Sequence, residues 1–168
     1  MVMRTEAASP VWRVLPILGF VVLTLLMFGA VLFGGDTRVL GHQTTDLYAQ
    51  FIAWRDFGFR ELRAGNLALW NPHIYSGAPY FGGSQGALLY PLYVLFLVLP
   101  MAQAVDWIMA LHMCLLGVLT YWWLGFRRLH PGACFVGGVM AMFCGAYFLH
   151  IYAGHLPNLC AMVWTPLI

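Results

Sequence analysis

The chain has 168 residues, of which 62% are hydrophobic and only 8% charged, with a net charge of +2. A soluble domain carries about a quarter of its residues as charges, so this composition excludes a soluble enzyme and indicates an integral membrane protein. The eight basic residues are all arginine, and with no basic run and no RNA-binding signature there is no case for a nucleic-acid partner.

The first apolar run covers residues 14–33, preceded by Arg4 and Arg13. It is close to the ~20 residues that cross a bilayer and longer than the apolar core of a cleaved signal peptide, so it reads as an uncleaved first span. Residues 34–103 form a mixed loop. Within it, residues 44–64 read as an amphipathic helix lying on the membrane surface. Thr44 or Thr45 is positioned to cap it. Leu47, Phe51, Trp54 and either Phe57 or Phe59 form its apolar stripe, Gln50, Arg55 and Asp56 lie off it, and Gly65 stops it. Residues 70–86 are rich in turn-forming residues. The apolar stretch 88–99, between Pro91 and Pro100, is about a dozen residues and suits an interfacial or re-entrant piece. A second span covers 104–126, a basic turn Arg127-Arg128-Leu129-His130-Pro131 follows, and a third span covers 132–153. Another apolar run begins at 158 and reaches 168, the start of a fourth helix.

Arg4 and Arg13 before the first span, and Arg127 and Arg128 in the short turn, place both on the cytoplasmic side. The loop 34–103 and the turn 154–157 are then external. Ala133, Gly137, Ala141 and Gly145 recur every fourth residue along the third span and offer a small face to a neighbouring helix. The last run is too short to span before residue 168, which is the pattern expected of the N-terminal part of a longer protein. Cys114, Cys134, Cys144 and Cys160 lie singly in apolar stretches, as buried thiols rather than a disulfide framework or zinc site.

No P-loop, GxSxG, HExxH or DxD motif is present. The candidate chemistry lies in the polar loop. Asp46 opens the loop helix, where the free amides and the helix dipole stabilise a carboxylate, with Gln50 one turn on along the same side. Held at a membrane surface, such a carboxylate suits a general base acting on a hydroxyl, although spacing alone is met as well by an acid with only a structural role. Asp36 follows the first span directly and reads as an interfacial charge. Asp56 and Arg60 pair along the helix face. Arg55 and Arg63 suit a lipid phosphate or a solvated polar face. Asp106 reads as interfacial. His150 and His155 flank the outer end of the third span, as phosphate ligands, proton carriers or interfacial side chains. His112, inside the second span, requires a partner: either an interhelical hydrogen bond or a functional site. Trp70, Tyr75, Tyr80, Tyr90 and Tyr93 fit an interfacial aromatic belt or a set of sugar-stacking rings.

The order of motifs carries a resemblance. Thr45-Asp46-Leu47-Tyr48-Ala49-Gln50-Phe51 is followed by Arg55-Asp56, Glu61-Leu62-Arg63-Ala64-Gly65-Asn66, Leu69-Trp70-Asn71-Pro72 and Tyr75-Ser76-Gly77-Ala78-Pro79. Then come Gln85, Tyr90-Pro91-Leu92, Leu99-Pro100, Gly154-His155-Leu156 and Trp164-Thr165-Pro166-Leu167. Over residues 14–168 this resembles the bacterial YfhO-like membrane proteins, within the broad class of polytopic glycosyltransferases of the GT-C fold. The resemblance implies an all-α, polytopic transmembrane helix bundle in a bacterial cytoplasmic membrane, with an external loop carrying amphipathic helices. It implies transfer of a sugar from a polyprenyl-phosphate donor to a cell-envelope polymer or lipid on the external face. Asp46 best matches the catalytic acid, with Asp36 as a second match. The substrate-binding candidates are Gln50, Arg55, Arg63, Trp70, Tyr75, Gln85 and His155. Many GT-C enzymes carry paired acids in this loop, sometimes with a divalent metal; here a single Asp follows two Thr, which does not support a metal, and no other cofactor is expected. The implied partners are the bilayer, the lipid-linked sugar, the acceptor and the remaining helices of the longer protein. Two other readings stand beside it: a membrane transporter, flippase or scaffold, for which His112 is the pathway candidate, and an inactive fragment of a transferase.

Overall fold

The structure, a computed structural model, describes residues 10–35, 39–42 and 44–168, with side chains from 14 onward. Asp36 therefore lies outside the described residues. Among the described residues the regular structure is helical apart from one two-residue ladder. Helix α1 (Pro10–Leu32) is followed by a π-helical turn (Leu47–Phe51) that runs into α2 (Ile52–Arg63), then β1 (Trp70–Asn71) and β2 (Ala78–Pro79). A 3₁₀ turn (Pro91–Val94) leads into α3 (Leu95–Val98), and α4 (Met101–Phe126), α5 (Pro131–Met142), α6 (Gly145–Ala153) and α7 (Leu156–Met162) complete the fold.

Among the described residues three stretches are long and apolar enough to cross a membrane: Val14–Leu32, Met101–Phe126 and Pro131–Ala153. They match the three expected spans. They are not equivalent in the bundle. About two-thirds of the most apolar window of α4 is buried, against 17% for each of the other two. Helix α4 is thus the central post, flanked by α5 and α1, with the short helices α3 and α7 against its remaining sides. The outer helices leave apolar side chains such as Leu26, Met140 and Leu149 exposed, as helices in contact with lipid or further helices do.

The third span is not continuous. The helix stops at Met142, Cys144 takes an extended conformation (ψ 130), and α6 restarts at Gly145. Gly137 of the expected small stripe meets Leu124 of α4, and the residue beside it also makes a close helix contact. Gly138 of α5 faces Gly117 of α4, and a Cβ on Gly138 would lie 2.8 Å from the Gly117 carbonyl oxygen and 2.5 Å from the ring of Phe20. Phe20, fully buried, fills the space the two glycines leave, which ties α1 to the α4–α5 pair. The α4–α5 turn has standard caps: His130 accepts the Gly132 N–H through Nδ1 at 3.1 Å, and Pro131 occupies the first helical position.

The loop helix forms where expected, but its contacts differ. Its buried side chains are Leu47, Phe51, Arg55 and Phe59, each four residues from the last, and they pack on the core formed with α3, α4 and α7. The apolar face thus meets protein rather than a lipid surface. The threonine hydroxyls do not cap it. Thr45 Oγ1 donates to the His42 carbonyl at 2.6 Å, and the Thr45 carbonyl accepts the Tyr48 and Ala49 amides. Gly65 (φ +82) does end α2, its N–H bonding the Leu62 carbonyl. The stretch 88–99 packs as a plug between α2 and α4, with Tyr93 and Phe96 fully buried and Leu89, Val94 and Val98 exposed.

Candidate functional site

The site begins with a glycine. Gly154 joins α6 to α7 with φ +76, a left-handed conformation that closes α6. A Cβ there would also overlap Leu47. Only glycine lets the α6–α7 corner seat directly on the start of the loop helix. That contact brings Asp46, next to Leu47, up to His155, next to Gly154. A second tie holds the same corner: the His42 N–H donates to the Tyr152 carbonyl at 3.3 Å, with the two rings 5.4 Å apart.

His155 Nε2 lies 3.0 Å from Asp46 Oδ2, and His155 Nδ1 lies 3.3 Å from His150 Nδ1. The roles follow from donor chemistry. A carboxylate only accepts, so His155 donates to it through Nε2–H. The Nδ1 contact with His150 extends this pair to a third side chain. The Asp46 side chain is 60% exposed and that of His155 35%, so the carboxylate is held on one side and open to solvent on the other. Such an arrangement can hold a hydroxyl and take its proton.

The other expected site residues separate into groups. Gln50 is half-buried on the same helix, one turn from Asp46. Arg55 does not face a phosphate. It is fully buried, its Nη1 donating to the Phe51 carbonyl at 3.1 Å and its Nη2 to the Tyr93 hydroxyl at 3.3 Å. The rings of Phe51, Tyr93 and Phe96 surround its guanidinium at 5.3, 5.4 and 5.9 Å. The apolar stripe took it inward because it sits four residues from both Phe51 and Phe59. Arg63 is exposed, and its guanidinium bonds the carbonyls of Phe96 and Leu97 at the end of α3, the favourable place for a cation at a helix C-terminus. Trp70 and Tyr75 are exposed rings on the small hairpin, and Tyr75 and Gln85 line one cleft with Trp54 and Tyr80. Tyr80 is not a free surface ring: its hydroxyl donates to the Trp54 carbonyl at 2.7 Å, and burial pushes its pKa up to about 12. Burial likewise raises that of Tyr93.

Two buried polar groups have structural partners. Asp106 is 1% exposed, and its Oδ1 accepts the Leu40 N–H at 2.7 Å, pinning Leu40 to α4. His112, the pathway candidate of the transport reading, has both nitrogens engaged, with Ile108 O at 2.6 Å and Tyr90 Oη at 2.7 Å. The Tyr90 hydroxyl also accepts the Trp164 indole N–H at 3.0 Å. Donor order fixes this network too: Trp164 to Tyr90 to His112 Nε2, with His112 Nδ1–H on the Ile108 carbonyl. It is a satisfied interhelical network joining the 88–99 plug, α4 and the end of the chain. Among the described residues no group of three or more His, Cys, Asp or Glu is spaced to hold a metal ion.

No protein-family model, curated protein or solved structure matches the chain.

Proposed function

We propose that this chain belongs to a membrane glycosyltransferase that moves a sugar from a polyprenyl-phosphate donor to a cell-envelope acceptor, on the external face of a bacterial cytoplasmic membrane, with the N-terminus inside. The reading rests on the motif order in the loop and on one geometric observation: an exposed carboxylate, Asp46, held by His155 where the loop helix meets the α6–α7 corner. In this reading the free side of Asp46 accepts the proton of the acceptor hydroxyl. The hydroxyl oxygen bonds to the anomeric carbon as the bond from that carbon to the phosphate oxygen breaks, and the polyprenyl phosphate leaves with the electron pair. His155 fixes the carboxylate's orientation and is a positioning residue. Arg55 has no part in steadying the phosphate, being enclosed by aromatic rings, and the Arg63 guanidinium is engaged with the Phe96 and Leu97 carbonyls.

The test is sugar incorporation from a labelled polyprenyl-phosphate sugar in native membranes. Asp46→Asn abolishes transfer while the protein stays at its normal level in the membrane, and His155→Ala lowers it by roughly 10–100-fold by releasing the carboxylate. Normal transfer by Asp46→Asn rejects the assignment.

A further inference from the structure

Two clefts meet on the outer side of the loop, and they differ in chemistry. The first, about 150 Å³, is walled by Trp54, Tyr75, Pro79, Tyr80 and Gln85. The second, about 530 Å³, is bordered by Asp56, Arg60, Glu61, Asn71 and His73. Trp54 and Ile74 belong to both and form the ridge between them.

The aromatic cleft is built rigidly. Tyr80 forms its floor, fixed by its bond to the Trp54 carbonyl. Its ring is clamped by Gly58 and Gly86, since a Cβ on either glycine would overlap it. The opposite wall is raised by the β1–β2 hairpin, where Trp70 lies against Gly77 and the Gly77 N–H bonds the Ile74 carbonyl at 2.7 Å. Five non-glycine residues among those described have positive φ, and four of them flank this cleft: Tyr75 (50), Ser76 (62), Ser84 (58) and Ala87 (45). Strained backbone persists only where its surroundings impose it, and it clusters at ligand clamps. Here it presents Tyr75, 87% exposed, above the cleft and carries Gln85 on the other side.

A ligand filling both clefts needs one apolar face for the rings and a rim of hydrogen-bonding groups for Glu61, His73 and the Asp56–Arg60 ion pair, closed at 2.6 Å. An acyl chain offers only the first and would strip water from the charges with nothing in return. A sugar offers both: its C–H face stacks on aromatic rings, and its hydroxyls bond carboxylates, amides and guanidinium groups. Trp54 stands eight residues beyond Asp46, about 12 Å at 1.5 Å per residue, within the length of a short oligosaccharide. We propose that the paired clefts bind a saccharide. Resting on the transfer reading above, this saccharide is the acceptor, so the product is an extended or decorated glycan rather than a glycosylated lipid.

The test measures binding with no donor present, so that it stands apart from transfer. The full chain in phospholipid nanodiscs, free of glycoside detergents, is titrated with maltotriose, cellotriose and chitotriose, and saturation transfer to the sugar ring protons is read by NMR. At least one trisaccharide receives saturation, and Tyr75→Ala and Gln85→Ala each weaken its binding roughly fivefold or more. Phe126→Ala, an exposed ring at the far end of α4, leaves binding unchanged. Both test side chains are at the surface of the cleft, and an unchanged thermal midpoint shows the fold intact. Three results overturn the proposal: no transfer to any trisaccharide, transfer indifferent to both cleft variants, or saturation passing instead to the acyl protons of dihexanoylphosphatidylcholine in a Tyr75-dependent way. Binding that survives while labelled-sugar transfer fails leaves the cleft standing and rejects the transferase.

Discussion

Arg55 offers the sharpest test of how this fold is held together. It is fully buried with no carboxylate in salt-bridge contact among the described residues, and its Nε has no partner there. Two rather long charged hydrogen bonds contribute about 1.5 kcal/mol each, and three ring contacts about 1 kcal/mol each, together about 6 kcal/mol. Against them stand several kcal/mol for removing the ion from water and about 1–3 kcal/mol for the unmade Nε–H bond. The two sides cancel to within about 2 kcal/mol. Arg55→Met keeps the apolar stem in the same slot, so it changes stability by no more than about 2 kcal/mol in either direction. Arg55→Ala opens a cavity between α2 and the 88–99 plug and costs about 2–5 kcal/mol. For a chain of this size each kcal/mol moves the unfolding midpoint by roughly 2–4 °C. Thermal unfolding in detergent is followed with a thiol-reactive dye that reports exposure of the buried Cys134 and Cys160, in a Cys144→Ser background because Cys144 is exposed. The Met variant falls within about 8 °C of the parent and unfolds above the Ala variant. If Met falls as far as Ala while Arg55→Lys keeps the parental midpoint, the positive charge itself is required and the cancellation argued here is wrong.

Four further outcomes follow from the same geometry. Gly154→Ala strains a φ of +76 and pushes into Leu47, so it costs at least about 1–3 kcal/mol; with Asp46 and His155 parted, transfer falls while Gly145→Ala, in open space, has little effect. Gly138→Val forces apart α1, α4 and α5 at Phe20, with a loss of about 1–3 kcal/mol seen as a lowered midpoint in the same dye assay. Asp106→Ala leaves the Leu40 N–H without its acceptor, at about 1–3 kcal/mol, and hydrogen exchange at the Leu40 amide rises sharply while Asp106→Asn retains much of its protection. Tyr80 has its pKa raised by burial from 10.0 to about 12, so the folded state holds the proton that the unfolded state releases. Its contribution is complete below pH 10 and is lost as pH rises from 10 to about 12; tyrosinate absorbance and unfolding monitored together show the loss, and Tyr80→Phe flattens that part of the profile.

The three spans were legible because length and hydropathy decide them, and the glycine stop of α2 because φ +82 leaves few other residues. The loop helix was legible in extent and misread in orientation. Charge was taken to place Arg55 on a wet face, yet Leu47, Phe51, Arg55 and Phe59 recur every fourth residue, and that period was the better guide to burial. The break at Cys144 carries no proline and sits in an apolar run, so nothing local announced it. The burial of Asp106 was not legible because its partner, the Leu40 amide, lies 66 residues away. The Asp46–His155 contact spans 109 residues; both residues were singled out by type and position, and their meeting was set by packing that no local pattern encodes.

That packing also explains why the candidate site lies where it does. Irregular backbone needs its polar groups paired or covered by protein, and among the described residues three such places are held by neighbouring elements: the α6–α7 corner, the 88–99 plug and the segment at residues 39–42. The corner seats on Leu47, the plug is roofed by α2, and the segment at Leu40 is pinned by Asp106. Asp46 stands at the edge of this cluster, where covered backbone gives way to solvent. A carboxylate further in would need a buried donor, as Asp106 does; one further out would have nothing to orient it. The edge supplies both a fixed partner in His155 and an open side, which is the combination a group acting on a hydroxyl at a membrane surface requires.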